Sequence, residues 1–251
     1  MKNDTGTHGF GASDASRATH AASGSGLRHA ARPDTNSPDT NSPDTNWSDP
    51  KWLDPAHLAT AARDRRVLIG VTGGIAAYKA CTVVSRLAQA GAHVTVLMTE
   101  NATRFVTPLT FQALSGRHVY TSAWEHVESQ DPQHIRLATS ADACLIAPCT
   151  MDCMARLASG MTSDVVTLVL SAVDRARTPV LLAPAMNAAM WAQPSTQRNL
   201  ALLISDGFHI VGPGDGWQAC RTSGAGRMSE PETLLGALAA TLATRPARAN
   251  A

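Results

Sequence analysis

No run of apolar residues in these 251 residues reaches the length of about 18 that would cross a membrane, so a spanning helix is excluded. No C-x-x-C pair exists among the five cysteines, Cys81, Cys144, Cys149, Cys153 and Cys220. Their odd number and apolar surroundings point to reduced thiols and a cytoplasmic compartment rather than a disulfide framework. Cys149 and Cys153 lack His or Cys partners at ligand spacing and read as small buried hydrophobes, so no metal is expected. Net charge is also missing: 21 basic against 20 acidic residues leave +1, with the basic residues scattered. That balance gives no reason to expect nucleic acid or an anionic membrane as a partner.

The first 60 residues are short of apolar side chains. They contain the unit Pro33-Asp34-Thr35-Asn36-Ser37, repeated from Pro38 and again, truncated, from Pro43. Such a stretch cannot offset the entropy of its own ordering, and its prolines oppose helix and sheet. It lacks the apolar segment of a secretory signal. The expected organisation is a disordered polar tail over 1–60, one domain over 61–246 and a short tail over 247–251. About 185 residues suffice for a sizeable core.

Within that domain, apolar runs of strand length alternate with helical patterns. Strands are predicted at Val67–Val71, His93–Met98, Ala143–Ala147, Pro179–Ala183 and Phe208–Val211. Helices are predicted at Ile75–Ala90, Ala102–Leu114, Asp164–Ala172, Ser195–Ser205 and Pro231–Ala243. Alternation implies parallel pairing with right-handed crossovers, hence an α/β fold with an open, doubly wound sheet. Ligands then sit beyond the carboxyl ends of the strands. Gly73-Gly74, Thr99, Pro148-Cys149-Thr150 and Met186-Asn187 all fall there. Thr72-Gly73-Gly74 permits a tight turn and close approach of a ligand to backbone N–H groups, although it is neither a P-loop nor G-x-G-x-x-G. Thr150 is placed to cap the next helix, with Asp152 expected to turn toward that helix's own N-terminus. Gly216 to Met228 reads as a flexible glycine-rich lid.

Pro184-Ala185-Met186-Asn187 with Met190-Trp191 matches the Pro-x-Met-Asn-x-x-Met-Trp signature of the homo-oligomeric flavin-containing cysteine decarboxylases. The resemblance spans roughly residues 66–244. Gly73-Gly74-Ile75-Ala76-Ala77-Tyr78-Lys79 resembles that family's flavin loop, and His134-Ile135 with Leu137, Ala141 and Asp142 resembles its active-site histidine segment. Ala219-Cys220 with Gly224, Gly226, Arg227 and Met228 resembles its substrate clamp, commonly Ala-Cys-Gly-Asp-x-Gly-x-Gly-Arg-Met. Arg221-Thr222 stands here for Gly-Asp. Met151-Asp152 stands where the phosphate loop commonly reads Ala-Asn.

The resemblance implies a Rossmann-like flavoprotein holding flavin mononucleotide (FMN) on Gly73, Gly74, Ile75, Thr99, Pro148, Cys149, Thr150 and Ala185. It implies a substrate held by Met186, Asn187, Ala219, Arg227 and Met228, with His134 as base, Asn187 orienting a carboxylate and Cys220 as proton donor. The implied reaction is decarboxylation of 4'-phosphopantothenoylcysteine to 4'-phosphopantetheine in coenzyme A biosynthesis. It would run through flavin oxidation to a thioaldehyde, loss of CO2 and re-reduction. The family forms trimers, sometimes four together, with the flavin at a subunit boundary, so a homo-oligomer is expected. The implied activity is that of a decarboxylase alone, with a synthetase supplied separately. Two alternatives stay open, a peptidyl-cysteine decarboxylase of the same family and a non-catalytic regulatory flavoprotein.

Overall fold

The computed structural model describes residues 54–124 and 132–245. The repeats, His126 and the 247–251 segment lie outside them. The expected boundary of the tail moves earlier. Asp54 accepts a hydrogen bond from the Ala56 N–H at 2.9 Å, Pro55 occupies the first turn, and a helix α1 runs over Pro55–Ala62. Leu58, Ala61 and Ala62 are buried in the core. Three apolar side chains in eight residues are enough to order the segment that composition had assigned to the tail.

Six parallel strands form the sheet: β1 (Arg66–Val71), β2 (His93–Met98), β3 (Val119–Tyr120), β4 (Ala143–Cys149), β5 (Val180–Pro184) and β6 (His209–Ile210). Their order is β3-β2-β1-β4-β5-β6. The chain winds outward from β1 to β3, then returns to the other side of β1 to build β4, β5 and β6. The order reverses between β1 and β4, and the carboxyl ends of those strands flank the crevice where such sheets bind ligands. β1 is in register with both neighbours, Ile69 lying opposite Val96 and Leu145.

Alternate strand residues serve two cores, so the central strands are apolar on both faces. On one face Val67, Ile69, Val96, Leu145 and Leu181 pack under α1, α2 (Ala77–Gln89), α3 (Pro108–Ser115) and α9 (Pro231–Ala243). On the other, Leu68, Leu97, Ile146 and Leu182 pack under α4 (Gln133–Ser140), α5 (Met151–Ala158), α6 (Val165–Ser171) and α8 (Pro194–Ser205). Each fully buried Leu or Ile contributes about 1.5–3 kcal/mol, which is why these two stripes decide the register. This is the open, doubly wound α/β sheet expected from the alternation of patterns. Among the described residues, no helix is long and apolar enough to cross a membrane.

Several elements differ from the sequence expectation. The helix after β1 starts at Ala77, because Ile75 and Ala76 lie in a turn closed by Ala77 N–H to the Gly74 carbonyl at 3.0 Å. The helix expected from Ala102 is a 3-10 turn, Glu100–Arg104, followed by α3. Pro108 divides them, supplying the first residue of the second helix. The glycine-rich lid is an antiparallel hairpin, β7 (Gly214–Trp217) with β8 (Ser223–Arg227). Between β5 and α8 a short helix α7 (Ala188–Trp191) begins directly after Asn187.

Candidate active site

The carboxyl ends of β1 and β4 are stitched by one hydroxyl. Thr72, 2% exposed, donates from Oγ1 to the Pro148 carbonyl at 2.7 Å and accepts from the Thr150 N–H at 3.2 Å. Gly73 follows because a Cβ there would sit 2.5 Å from the Asn101 Cβ, so only glycine lets the 3-10 turn approach this closely. A cavity of about 1140 Å³ opens above these strand ends. Gly73, Gly74, Ile75, Thr99, Thr150, Ala185, Met186, Asn187, Ala219, Cys220, Arg227 and Met228 all line it.

Three expected site residues stand elsewhere. Pro148 and Cys149 do not line the cavity. Pro148 turns its carbonyl to Thr72, and Cys149 is fully buried beneath the strand end, where its carbonyl accepts the Ala185 N–H at 3.0 Å. Both shape the floor from below. Cys153 joins Cys149 there, and the hydrogen bond between the two thiols together with burial pushes Cys153 well above the ordinary thiol range. His134 is half-buried in the first turn of α4 and does not line the cavity of its own chain.

Polar groups around the rim are organised by helix starts. Thr99 caps the 3-10 turn through the Ala102 N–H, and Thr150 caps α5 through the Cys153 N–H, both at 3.3 Å. Asp152 points outward to Arg156, whose Nε donates to it at 2.8 Å, rather than to its own helix N-terminus. Arg156 also donates to Ser163. The ion pair offsets the Asp152 charge at the cavity wall, which lessens the repulsion an anionic ligand would meet there.

Lys79, 8% exposed, reaches from α2 to the Met228 carbonyl at 3.3 Å and to Glu230 at 3.0 Å. Arg227 pairs with the same Glu230. The Lys79 hydrogen bond, then the neighbouring charges, hold the Glu230 carboxyl below its usual range. This triad fastens the base of the hairpin to the helix behind the glycine loop. Gly226, at φ 115°, lets β8 dock on the β5 loop. Its carbonyl accepts the Met186 N–H at 2.9 Å, and a Cβ there would lie 2.5 Å from the Met186 carbonyl oxygen.

Asn187 accepts the Met190 N–H on Oδ1 at 2.9 Å, capping α7 and aiming its amide at the cavity. Cys220 lies at the hairpin tip with its Sγ 3.0 Å from Thr222 Oγ1. The Thr222 hydrogen bond, with a smaller contribution from the Asn187 side chain, lowers the thiol below its ordinary range. An exposed thiol of this kind carries more thiolate at neutral pH than a free cysteine. Asn187 and Cys220, 33 residues apart in sequence, thus face the same space.

Arg221 is held at φ 65°, a left-handed conformation that costs a side chain about 1–2 kcal/mol. The related clamp commonly has glycine at this position, and the geometry explains why. Arg221→Gly is expected to steady the turn by about 1 kcal/mol, read as slower amide exchange across β7 and β8. Unchanged or faster exchange would show that the Arg221 side chain compensates its own strain.

The model of the flavoprotein family matches residues 56–243. The chain belongs to this flavoprotein family. Among its flavoprotein relatives, the coenzyme A biosynthesis bifunctional protein CoaBC of Bacillus subtilis is 45% identical over 172 residues, covering 68% of this chain and 42% of that protein. CoaBC of Mycolicibacterium smegmatis is 45% identical over 170 residues, covering 68% and 40%. The chain therefore spans less than half the length of these curated relatives. Among solved structures, the FMN binding protein AtHal3 superposes with a TM-score of 0.64 at 28% identity, covering 73% of this chain and all of that one. A cysteine-to-serine mutant of a PPC decarboxylase, complexed with pantothenoylaminoethenethiol, gives 0.63 at 28% identity, covering 70% and 97%. The FMN-dependent cysteine decarboxylase SpaF gives 0.62 at 29%, covering 73% and 99%.

Sequence reasoning passed over Thr72, Asn101, Arg156 and Gln218 as site-building residues. Thr72 carried a usable signal, a hydroxyl at the end of an apolar strand directly before two glycines. The others occupy ordinary polar positions in loops and helices, and only the fold brings them to the cavity.

Proposed function

We propose that this chain decarboxylates 4'-phosphopantothenoylcysteine to 4'-phosphopantetheine with FMN bound in the cavity at the β1–β4 crevice. The observation that carries the reading is the convergence of Asn187 and Cys220 over a glycine-loop cavity. The similarity to CoaBC proteins and to the PPC decarboxylase complex supports the same substrate class.

The residues present fit a flavin nucleotide. A volume near 1140 Å³ exceeds the usual range for one drug-sized ligand, leaving room for cofactor and substrate together. Gly74 offers an open floor, since a Cβ there would meet nothing closer than Thr150 Cγ2 at 3.4 Å. Gly73, Gly74, Ile75, Thr99, Thr150 and Ala185 would hold the cofactor, the hydroxyls and helix starts facing its phosphate. Bound FMN supplies reversible two-electron oxidation of the thiol-bearing carbon, and with it the electron sink that loss of a carboxylate needs.

The protein's own groups do the rest. Asn187, its Oδ1 committed to the Met190 N–H, presents Nδ2 to the substrate carboxylate and fixes its orientation. Met186, Ala219 and Met228 line the path of the pantothenoyl arm, and Arg227 anchors the hairpin end beside it. Cys220 Sγ delivers a proton to the carbon that has lost CO2. The hairpin carrying it closes over the cavity and limits water.

His134 is the proton acceptor for the substrate thiol, supplied to each cavity by a neighbouring copy. Two facts support a homo-oligomer of this kind. His134 is absent from the cavity of its own chain, and Ile75 and Tyr78 stand 58% and 60% exposed on the cavity mouth. All five cysteines are free thiols, as suits a reducing cytoplasm.

The deciding experiment is purification of the protein, inspection for a yellow flavin spectrum, and assay of CO2 release from phosphopantothenoylcysteine. A yellow protein that releases CO2 from this substrate and not from a peptide ending in cysteine is the expected result. Release from the peptide alone would transfer the chain to the peptidyl-cysteine decarboxylases, and colourless protein unable to take up added FMN would overturn the cofactor.

A further inference from the structure

Gln218 is 7% exposed at the end of β7, and its side-chain amide uses all four of its hydrogen-bonding positions. Nε2 donates to the carbonyls of Gly224 at 3.1 Å and Ala225 at 2.9 Å, both on β8. Oε1 accepts the Ala188 N–H at 3.1 Å and lies 3.6 Å from Cys220 Sγ, which donates to it. Ala188 is the residue directly after Asn187, and Cys220 is two residues beyond Gln218. Its own backbone closes the tip, accepting the Arg221 N–H at 2.9 Å and donating to the Thr222 carbonyl at 2.8 Å.

One buried amide therefore touches three segments: the start of α7, the hairpin tip and the returning strand. A hairpin staple requires only the two bonds to β8. The bonds to Ala188 and Cys220 add nothing to hairpin pairing; they set the distance between the asparagine-bearing loop and the thiol-bearing tip.

We propose that Gln218 is a positioning residue that holds Asn187 and Cys220 in register with each other, so that the group orienting the substrate and the group donating the proton act on one bound molecule. This deepens the proposed function and rests on the roles given there to Asn187 and Cys220. A leucine of similar size would leave the hairpin apolar and closed but would free the tip to slide relative to α7. A glutamate would keep the acceptor for Ala188 while setting a carboxylate against two carbonyl oxygens.

The test reads the Asn187–Cys220 interaction directly and needs no substrate. Alkylation of Cys220 by iodoacetamide at neutral pH is followed in the full chain by mass spectrometry of its peptide. Asn187→Ala is expected to slow it about threefold, because a hydrogen bond to the thiolate is lost. In a Gln218→Leu background the same Asn187→Ala change is expected to have almost no further effect, since the two side chains no longer meet. Equal slowing in both backgrounds overturns the proposal and leaves Gln218 as a staple. An Asn187→Ala rate equal to wild type overturns it too. Should Gln218→Leu not fold, Gln218→Met, which likewise lacks the acceptor for Ala188 and Cys220, provides the same comparison, with the same two outcomes. Failure of the substrate assignment would show as absence of CO2 release and would leave these alkylation rates untouched.

Discussion

Asn187→Asp is expected to retain a bound yellow cofactor and to lose decarboxylation by about a thousandfold or more, equivalent to about 4 kcal/mol of transition-state stabilisation. The substitution changes one NH2 to an oxygen and little else. The remaining Oδ1 still accepts the Met190 N–H, so the cap on α7 survives, and a negative charge at a helix start is tolerated. The cofactor-facing residues come from other strand ends, Gly73 and Gly74 after β1 and Thr150 after β4, and Thr150 makes its hydrogen bonds to Thr72 and Cys153 rather than to the altered atom. What disappears is the donor toward the substrate carboxylate, replaced by a second carboxylate at the same place. Two anions facing one another cost more than an absent hydrogen bond. The new charge would also lift the Cys220 thiol, since Asn187 at present helps to lower it. CO2 release and the visible spectrum, measured on the same sample, check both halves. Turnover within tenfold of wild type would remove Asn187 from the role of orienting the carboxylate.

How much of this was legible beforehand follows from where each residue obtains its information. β1, β2, β4 and β5 were readable because strands buried on both faces must be continuous apolar runs, and their alternation with helices dictated parallel pairing. β3 was not readable. Val119–Tyr120 is two residues long and is held by pairing with Val96 and Leu97, a fact of tertiary structure alone. α5 was expected from its cap, Thr150, but the bounds Met151–Ala158 were not read, because the helix follows β4 with only that residue between them. The hairpin was mistaken for a loose lid because Gly214, Gly216, Gly224 and Gly226 erase the side-chain alternation that announces strands. Its order comes instead from Gln218, buried in the tip, and from the Lys79–Glu230–Arg227 triad at its base.

The site divides in the same way. Residues that end strands, such as Thr150 and Asn187, were identified because the fold class alone sends strand ends to the crevice. Pro148 and Cys149 share that position yet do not line the cavity, and a strand's alternation does not reveal which way it turns after the register shift between Ile146 and Cys149. His134 was singled out by its surrounding letters. In the proposed homo-oligomer its place relative to the cavity depends on which chain the cavity belongs to, and a single sequence carries no information about that.

The position of His134 leads to the second large effect. His134→Asn and Asn187→Asp proteins are each expected to be inactive when pure, and a mixture of the two is expected to regain activity once subunits exchange. In the proposed homo-oligomer a cavity takes Asn187 and Cys220 from one chain and His134 from the next. With equal amounts assembled at random, one cavity in about four pairs an intact Asn187 with an intact neighbouring His134. Activity should therefore rise from near zero to about a quarter of wild type. If His134 instead reached the cavity of its own chain through a rearrangement of α4, every cavity in the mixture would keep one defect and no activity would return. The packing of α4 favours the first outcome. Leu137 and Ala138 are buried against the sheet, and Arg136, Leu137, Thr139 and Ser140 line a separate space with the amino ends of β1 and β2. The last turns of α4 are thus anchored away from the cavity, and moving His134 inward would expose both buried side chains. Mixing the two purified variants under conditions that dissociate and reassemble the oligomer, then measuring CO2 release, separates the two arrangements without a further structure.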